Sequence, residues 1–381
     1  MSHLELASPE QLGFDSQRFE RACALLEGWT RSGTVPGGAM VVGRHGKMIA
    51  PQFFGRMGPE PGAEPMRDDA LFLMASITKP IVYLAAMTLV EHGLLNLTDR
   101  VTRYIPEFAA HHKDETLLLH LFTHTSGLPD MLPNNAELRR SHAPLETFVE
   151  HAIRDTVPLF APGSQLSYQS VGTLITAEIV RRVSGMKIAE FLDSEIFKPL
   201  GLSSLALGSS RFDRARLVRV ETPAYHEPEF GWNSRYWQEL GSPWGGLFSA
   251  PAEFAVLCHL MLNDGSVVAA GGRPMRIVSP ATVAAMTCNW LDRLPDVPEP
   301  TRRTRPWGLG WRLNHPGTDD SWGDLLGPRV FGHTGATGTQ VWMDPDTGVF
   351  CLLLTSALRE RQPWLLVNLS NAIAASLVSG G

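Results

Sequence analysis

Cysteine is scarce in this chain: four in 381 residues, at positions 23, 258, 288 and 351. None forms a C-x-x-C pair and each sits among apolar neighbours, which argues against a disulfide framework or zinc knuckle and for buried free thiols. Concentrated charge is lacking too. Thirty-three Lys and Arg face 39 Asp and Glu, a formal net charge of -6. The basic doublets Arg139-Arg140, Arg181-Arg182 and Arg302-Arg303 lie far apart, so no nucleic-acid partner is expected. The longest apolar run, Pro80 to Val90, is too short to span a bilayer and reads as a buried helix, so no membrane partner is expected either. The opening Met1 to Phe14 has no basic stretch followed by an apolar one, so no secretory signal is read and a cytoplasmic location is expected. G-x-S-x-G, H-E-x-x-H, P-loop and G-x-G-x-x-G signatures are all missing. No repeat or low-complexity linker occurs. No metal and no cofactor is expected, and the partner is expected to be a small molecule.

What is present is an ordinary globular composition, 44% hydrophobic and 19% charged, in a chain long enough to bury a large core. Asp15 reads as an N-cap, with Phe19, Ala22, Leu26 and Trp29 at helical spacing after it. Ala39–Val42 and Met48–Ala50 flank Arg44-His45-Gly46-Lys47 as a hairpin. Phe72 to Ala75 leads into an apolar helix from Ser76 to Glu91, and the pattern stays mostly helical to about residue 210. Residues 222–246 read as irregular and aromatic-rich (Tyr225, Phe230, Trp232, Tyr236, Trp237, Trp244). Strands return at Trp307–Leu313 and in a hairpin of Thr339–Met343 and Val349–Thr355 turning at Asp344–Gly348. An apolar helix, Trp364–Leu377, closes the chain. The fold class expected is α/β (α+β). An antiparallel β-sheet flanked by helices is built from residues 1–95 and 215–381, and residues 96–214 form an inserted, mostly helical domain. A ligand cleft belongs at their junction.

Ser76-Ile77-Thr78-Lys79 carries the first chemistry. Residues three apart share a helix face, so an ammonium can approach a hydroxyl. At the start of a helix the dipole favours a developing alkoxide, and a buried lysine gives up its proton more readily. Ser184-Gly185-Met186-Lys187 repeats the spacing, but it follows the helical stretch Leu174–Val183 and reads as its C-terminal stop. The dipole there has the wrong sign for a nucleophile. His120 and His124 are four apart, yet without a third ligand they read as loop or core histidines rather than a metal pair.

Ser76-x-x-Lys79, then Tyr168-Gln169-Ser170, then His333-Thr334-Gly335, in that order, resemble the penicillin-recognising serine hydrolases. These include class C β-lactamases, D,D-peptidases and the family VIII carboxylesterases. His120-Leu-Phe-Thr-His-Thr-Ser-Gly-Leu128, Pro162-Gly163, Lys198-Pro-Leu-Gly-Leu202 and Gly245-Gly246-Leu247-Phe248-Ser249 resemble family segments as well. The resemblance implies a β-lactamase/transpeptidase-like fold. Two positions depart from the lactamase and peptidase pattern: Ser170 stands where Asn is usual and His333 where Lys is usual. That Lys is associated with the substrate's carboxylate, which a fixed cation anchors well; a histidine, partly charged near neutral pH, anchors it less well. Together with Trp244-Gly245-Gly246, which resembles the W-x-G string of family VIII, this favours a serine carboxylesterase of small, short-chain neutral esters.

The resemblance implies an acyl-enzyme on Ser76, with Lys79 and Tyr168 sharing the proton transfer; either could be the base. It also implies an oxyanion hole from the backbone N–H groups of Ser76 and Ala336, the latter following an edge strand. Ser170, Trp244, His333, Thr334 and Gly335 are the expected substrate contacts. Ser170 could equally satisfy a backbone group, and Trp232, Tyr236, Trp237 and Trp244 could be core aromatics. His124 and Asp130 read as loop structure. The competing functions are a β-lactamase or D,D-peptidase/D-aminopeptidase-type amide hydrolase, an acyltransferase, and a catalytically silent binding protein.

Overall fold

The structure, a computed structural model, describes residues 4–223, 228–268, 274–315, 317–318 and 322–378. Tyr225 lies outside the described residues. Among the described residues eight strands form the main sheet, in the spatial order Glu5–Leu6, Lys47–Met48, Gly37–Arg44, Val349–Thr355, Thr339–Asp344, Phe331–Gly335 and Arg312–Leu313, with Gln52–Gly55 also paired to Gly37–Arg44. The sheet is antiparallel apart from one pairing: Glu5–Leu6 runs parallel to Lys47–Met48. The class is therefore mixed α/β on a multi-strand sheet flanked by helices.

Side-chain alternation assigns the two faces. Met40, Val42, Cys351 and Leu353 enter one core, with Phe19, Ala22 and Leu26 of the helix Ser16–Ser32 and Leu366, Leu369 and Ile373 of the helix Trp364–Ala374. Their neighbours Ala39, Val41, Leu352 and Leu354 enter the other, with Phe254 and Leu257 of the helix Pro251–Leu262. A sheet covered on both faces has no water-facing positions in its middle, which is why these strands read as continuous apolar runs. Asp15 caps its helix as expected, its carboxylate accepting from Arg18 N–H at 2.8 Å, a contact worth about 1 kcal/mol in similar caps.

Three expectations need correction. Trp307–Leu313 is not one strand: only Arg312–Leu313 joins the sheet, and Trp307 folds back to bridge Arg312, because Gly310 turns the chain at φ +84° over the Tyr83 ring. The 222–246 region is not irregular throughout, since Ser234 caps a helix at Arg235–Leu240. The thiols divide: Cys258 and Cys351 are buried and free, whereas Cys23 and Cys288 are half-buried and free.

The helix Thr78–Glu91 is buried on nearly all sides and packs against the helix Val171–Ser184. No described helix is long and apolar enough to cross a membrane. A small second sheet pairs Phe72–Leu73 and Leu205–Leu207 with Leu247–Ser249. It hands the chain directly into Ser76.

Side-chain hydroxyls tie the main sheet to that point. Thr337 Oγ1 donates to the Leu73 carbonyl at 2.9 Å and Thr339 Oγ1 to the Met74 carbonyl at 3.1 Å. The approach is close enough to demand glycine at 335, where an added methyl would sit 2.2 Å from Thr339 Oγ1 and 2.6 Å from the Met74 carbonyl. Gly335→Ala is accordingly expected to destabilise the protein by about 1–3 kcal/mol, the usual range for overpacking. Denaturant unfolding measures this, and an unchanged midpoint would contradict the close approach.

Candidate active site

Ser76 is the half-buried residue in a run, Leu71 to Leu84, whose other members are all buried. Its hydroxyl opens into a cleft of about 570 Å³ between the helical region and the Phe331–Gly335 strand. The turn Ala75–Ile77 precedes the helix Thr78–Glu91, so Ser76 sits at the positive end of the helix dipole. Ala75 just before it is left-handed at φ +47°, a conformation that costs a non-glycine residue about 1–3 kcal/mol and collects at functional sites. Thr78 Oγ1 holds the turn by donating to the Ala75 carbonyl at 2.6 Å and accepting from Leu247 N–H at 3.0 Å. Ser184 is the last residue of its helix, followed by left-handed Gly185, so this copy of the spacing lies at the dipole's negative end.

Lys79 is fully buried. Its Nζ lies 3.1 Å from Ser76 Oγ, donates to the Trp244 carbonyl at 2.9 Å and stands 4.7 Å from the Tyr168 ring centroid. Burial lowers its pKa to about 7, against the opposing pull of the Asp130 carboxylate. The amine is thus poised between its two charge states near neutrality.

Tyr168 is reached from the helical side, on a loop that enters its helix at Val171. Its hydroxyl is buried and without a hydrogen bond among the described residues. Burial raises its pKa strongly, and the nearby Ser76 side chain works against that rise. Ser170 donates to Asp130 Oδ1 at 2.7 Å, so it is engaged with a side chain, and both line the cleft. The reading of His124 and Asp130 as loop structure alone is incomplete. Asp130 acts on the charge states of Lys79 and Tyr168, and the His124 ring lies against Tyr168 with centroids 4.7 Å apart. Asp130 lacked any local signal; His124 sat inside a family-like string.

On the sheet side the cleft is lined by His333, Thr334, Gly335 and Ala336. Phe331–Gly335 is not an edge strand: Arg312–Leu313 covers its first two residues, leaving Thr334 and Gly335 open. The N–H groups of Ser76 and Ala336 are not taken up by any turn or cap hydrogen bond among the described residues. His333 is not partly charged. Its Nδ1 donates to the Thr334 carbonyl at 2.7 Å, while burial, followed by the Lys79 charge, pushes its pKa down to about 3. Nε2 is a buried lone pair without a hydrogen bond among the described residues. Trp232, Trp237 and Trp244 line the cleft, whereas the Tyr236 hydroxyl turns away to the Ala143 carbonyl at 2.8 Å. The sequence reading missed Arg305, Arg312 and Arg359 on this wall. Arg312 sits opposite Gly332 through strand register, which no local pattern announces. No cluster of three or more His, Cys, Asp or Glu among the described residues could hold a metal ion.

Residues 22–375 match the Beta-lactamase family profile. The chain belongs to the beta-lactamase family. Among its curated relatives, a Salmonella enteritidis PT4 protein named "Putative D-alanyl-D-alanine carboxypeptidase" is 27% identical, over 92% of this chain and 85% of that protein. A penicillin-binding protein homologue from Caulobacter crescentus has a similar structure, with TM-score 0.77 and 23% identity over 96% of this chain and 99% of that one. A family VIII carboxylesterase superposes with TM-score 0.74 and 20% identity, again over 96% and 99% of the two chains. The fold is the β-lactamase/transpeptidase-like one, and this family member is a serine hydrolase of that fold.

Lys79 is expected to titrate near 7. Because Asp130 favours the ammonium, Asp130→Asn should move that titration to lower pH. Fluorophosphonate labelling rates of Ser76 against pH, or NMR of ε-labelled lysine, check the sign; an upward shift would contradict the electrostatic assignment.

Proposed function

We propose that this protein is a serine carboxylesterase that hydrolyses small, short-chain neutral esters through an acyl-enzyme on Ser76. The observation that carries the reading is the buried Lys79 amine against Ser76 Oγ, beside a His333 that burial keeps uncharged. Ser76 Oγ attacks the ester carbonyl carbon as its proton passes to the Lys79–Tyr168 unit. The two groups interact too closely to be assigned separate proton affinities. The N–H groups of Ser76 and Ala336 take the oxyanion; fixed donors of this kind are each worth about a hundredfold or more in rate. The C–O bond to the leaving group then breaks, the alcohol departs with the proton, and water releases the acid by the same steps.

Ser170, Trp244, His333, Thr334 and Gly335 border the substrate in this reading. An uncharged imidazole offers a carboxylate no cation where a lysine would, which supports neutral substrates. A second reading has its own observation. Arg305, Arg312 and Arg359 line the sheet-side wall, a cationic border suited to a carboxylate-bearing amide, and the Salmonella relative carries a carboxypeptidase name.

Three substrates separate them: a p-nitrophenyl butyrate ester, nitrocefin and a peptide ending in D-Ala-D-Ala. The expectation is ester turnover well above the other two, loss to background in Ser76→Ala, and a fall of about a hundredfold or more in Tyr168→Phe. A fluorophosphonate should add to Ser76. Preferred turnover of nitrocefin or the peptide would overturn the esterase reading, and an unlabelled Ser76 would point to a silent binder.

A further inference from the structure

Tyr168 belongs to neither helix nor strand, so something other than secondary structure must hold its phenol in place. His124 does so from both sides. Its carbonyl accepts from the N–H of Ser167 at 2.9 Å, and its ring Nδ1 accepts from the N–H of Gln169 at 3.1 Å. The residues immediately before and after Tyr168 are thereby bonded to one side chain and its own backbone. Between those two bonds the imidazole lies against the phenol, centroids 4.7 Å apart, with Trp307 edge-on to the imidazole at 4.6 Å and 6.1 Å from the phenol ring. His124 is fully buried and left-handed at φ +58°, which lets one residue offer its carbonyl and its ring to the same segment. A backbone N–H only donates, so Nδ1 is bare and the ring is neutral with its hydrogen on Nε2.

The neighbours of His124 extend the same bed. The Thr125 carbonyl accepts from Gly163 N–H at 2.7 Å, Ser126 Oγ donates to Gln169 Oε1, and the Asp130 carbonyl accepts from Ser170 N–H at 3.0 Å. The His120–Leu128 string, unused by the mechanism above, is the surface on which the Tyr168 loop lies. We propose that His124 is a positioning residue that holds the Tyr168 phenol against Ser76 by clamping the chain on both sides of it. This rests on the reading that Tyr168 handles the Ser76 proton.

The test uses two substitutions whose backbones tolerate the left-handed region, His124→Asn and His124→Gly. Asn keeps a short acceptor; Gly has none. With p-nitrophenyl butyrate, H124G should lower kcat about a hundredfold, the usual scale for a misplaced catalytic group, with KM within about twofold. H124N should lose only about tenfold. Both losses should vanish when Tyr168 is already Phe, because the clamp acts only through that phenol. Equal kcat in H124N and H124G, wild-type kcat in H124G, or a loss that persists beside Y168F overturns the clamp. If H124G does not fold, the tenfold loss in H124N and its disappearance beside Y168F decide alone. Wild-type kcat in Y168F would instead overturn the proton-handling reading of Tyr168, a distinct result.

Discussion

A lysine ammonium is among the costliest groups to take out of water, and Lys79 is taken out entirely. Desolvation disfavours its charge, and the structure offers only partial compensation: one carbonyl, one hydroxyl, the face of a phenol ring and the more distant Asp130 carboxylate. The remaining instability of the charge makes the amine available near neutral pH. That condition depends on the helix Thr78–Glu91 being buried on nearly all sides. Its all-round apolar composition is therefore an electrostatic requirement as well as a packing one. A conventional amphipathic helix would let water reach the first turn and return Lys79 to its ordinary, permanently charged state.

A dry amine is useful only if the groups around it stay put, and they come from distant parts of the chain. The Trp244 carbonyl is held because Thr78 bonds the segment after it, through Leu247 N–H. The end of the Phe331–Gly335 strand is held because Thr337 and Thr339 bond the carbonyls of Leu73 and Met74. All of these ties converge on the few residues around Ser76. Most are bonds from side-chain hydroxyls to backbone groups, so the fixed partners are those least free to move. Such geometry suits a site that must stabilise charge at one point without reorganising.

Much of this was legible in the sequence, for reasons tied to particular residues. Ser76 and Ser184 share a spacing, and what distinguished them was local: a strand-like run before one, a helix end before the other. The capped first helix and the Thr339–Thr355 hairpin carried their own periodic and turn signals. What escaped depends on tertiary placement. The charge state of His333 follows from how deeply it is buried, which a histidine in a string cannot reveal. Arg312 reaches the cleft through strand register, and the strand expected at Trp307–Leu313 failed because Gly310 must turn over Tyr83. His124 and Asp130 looked like loop residues because they are loop residues; their influence on Tyr168 arises across more than 30 positions of chain.

The neutrality of His333 has a consequence for Lys79 as well as for substrate. Lys79 already depresses His333 through charge repulsion, after burial, and coupling of this kind acts in both directions. A permanent cation at position 333 would therefore push Lys79 further toward its neutral form while drawing anions to the strand. A neutral imidazole does neither. It leaves Asp130 as the charged group that opposes the desolvation of Lys79, so burial sets the proton affinity of the amine first and a carboxylate on the helical wall moderates it. Positive charge on the sheet side is carried instead by Arg305, Arg312 and Arg359. One lysine at position 333 would combine two effects that here come from different residues: a charge acting on the Lys79 amine, and positive charge lining the cleft.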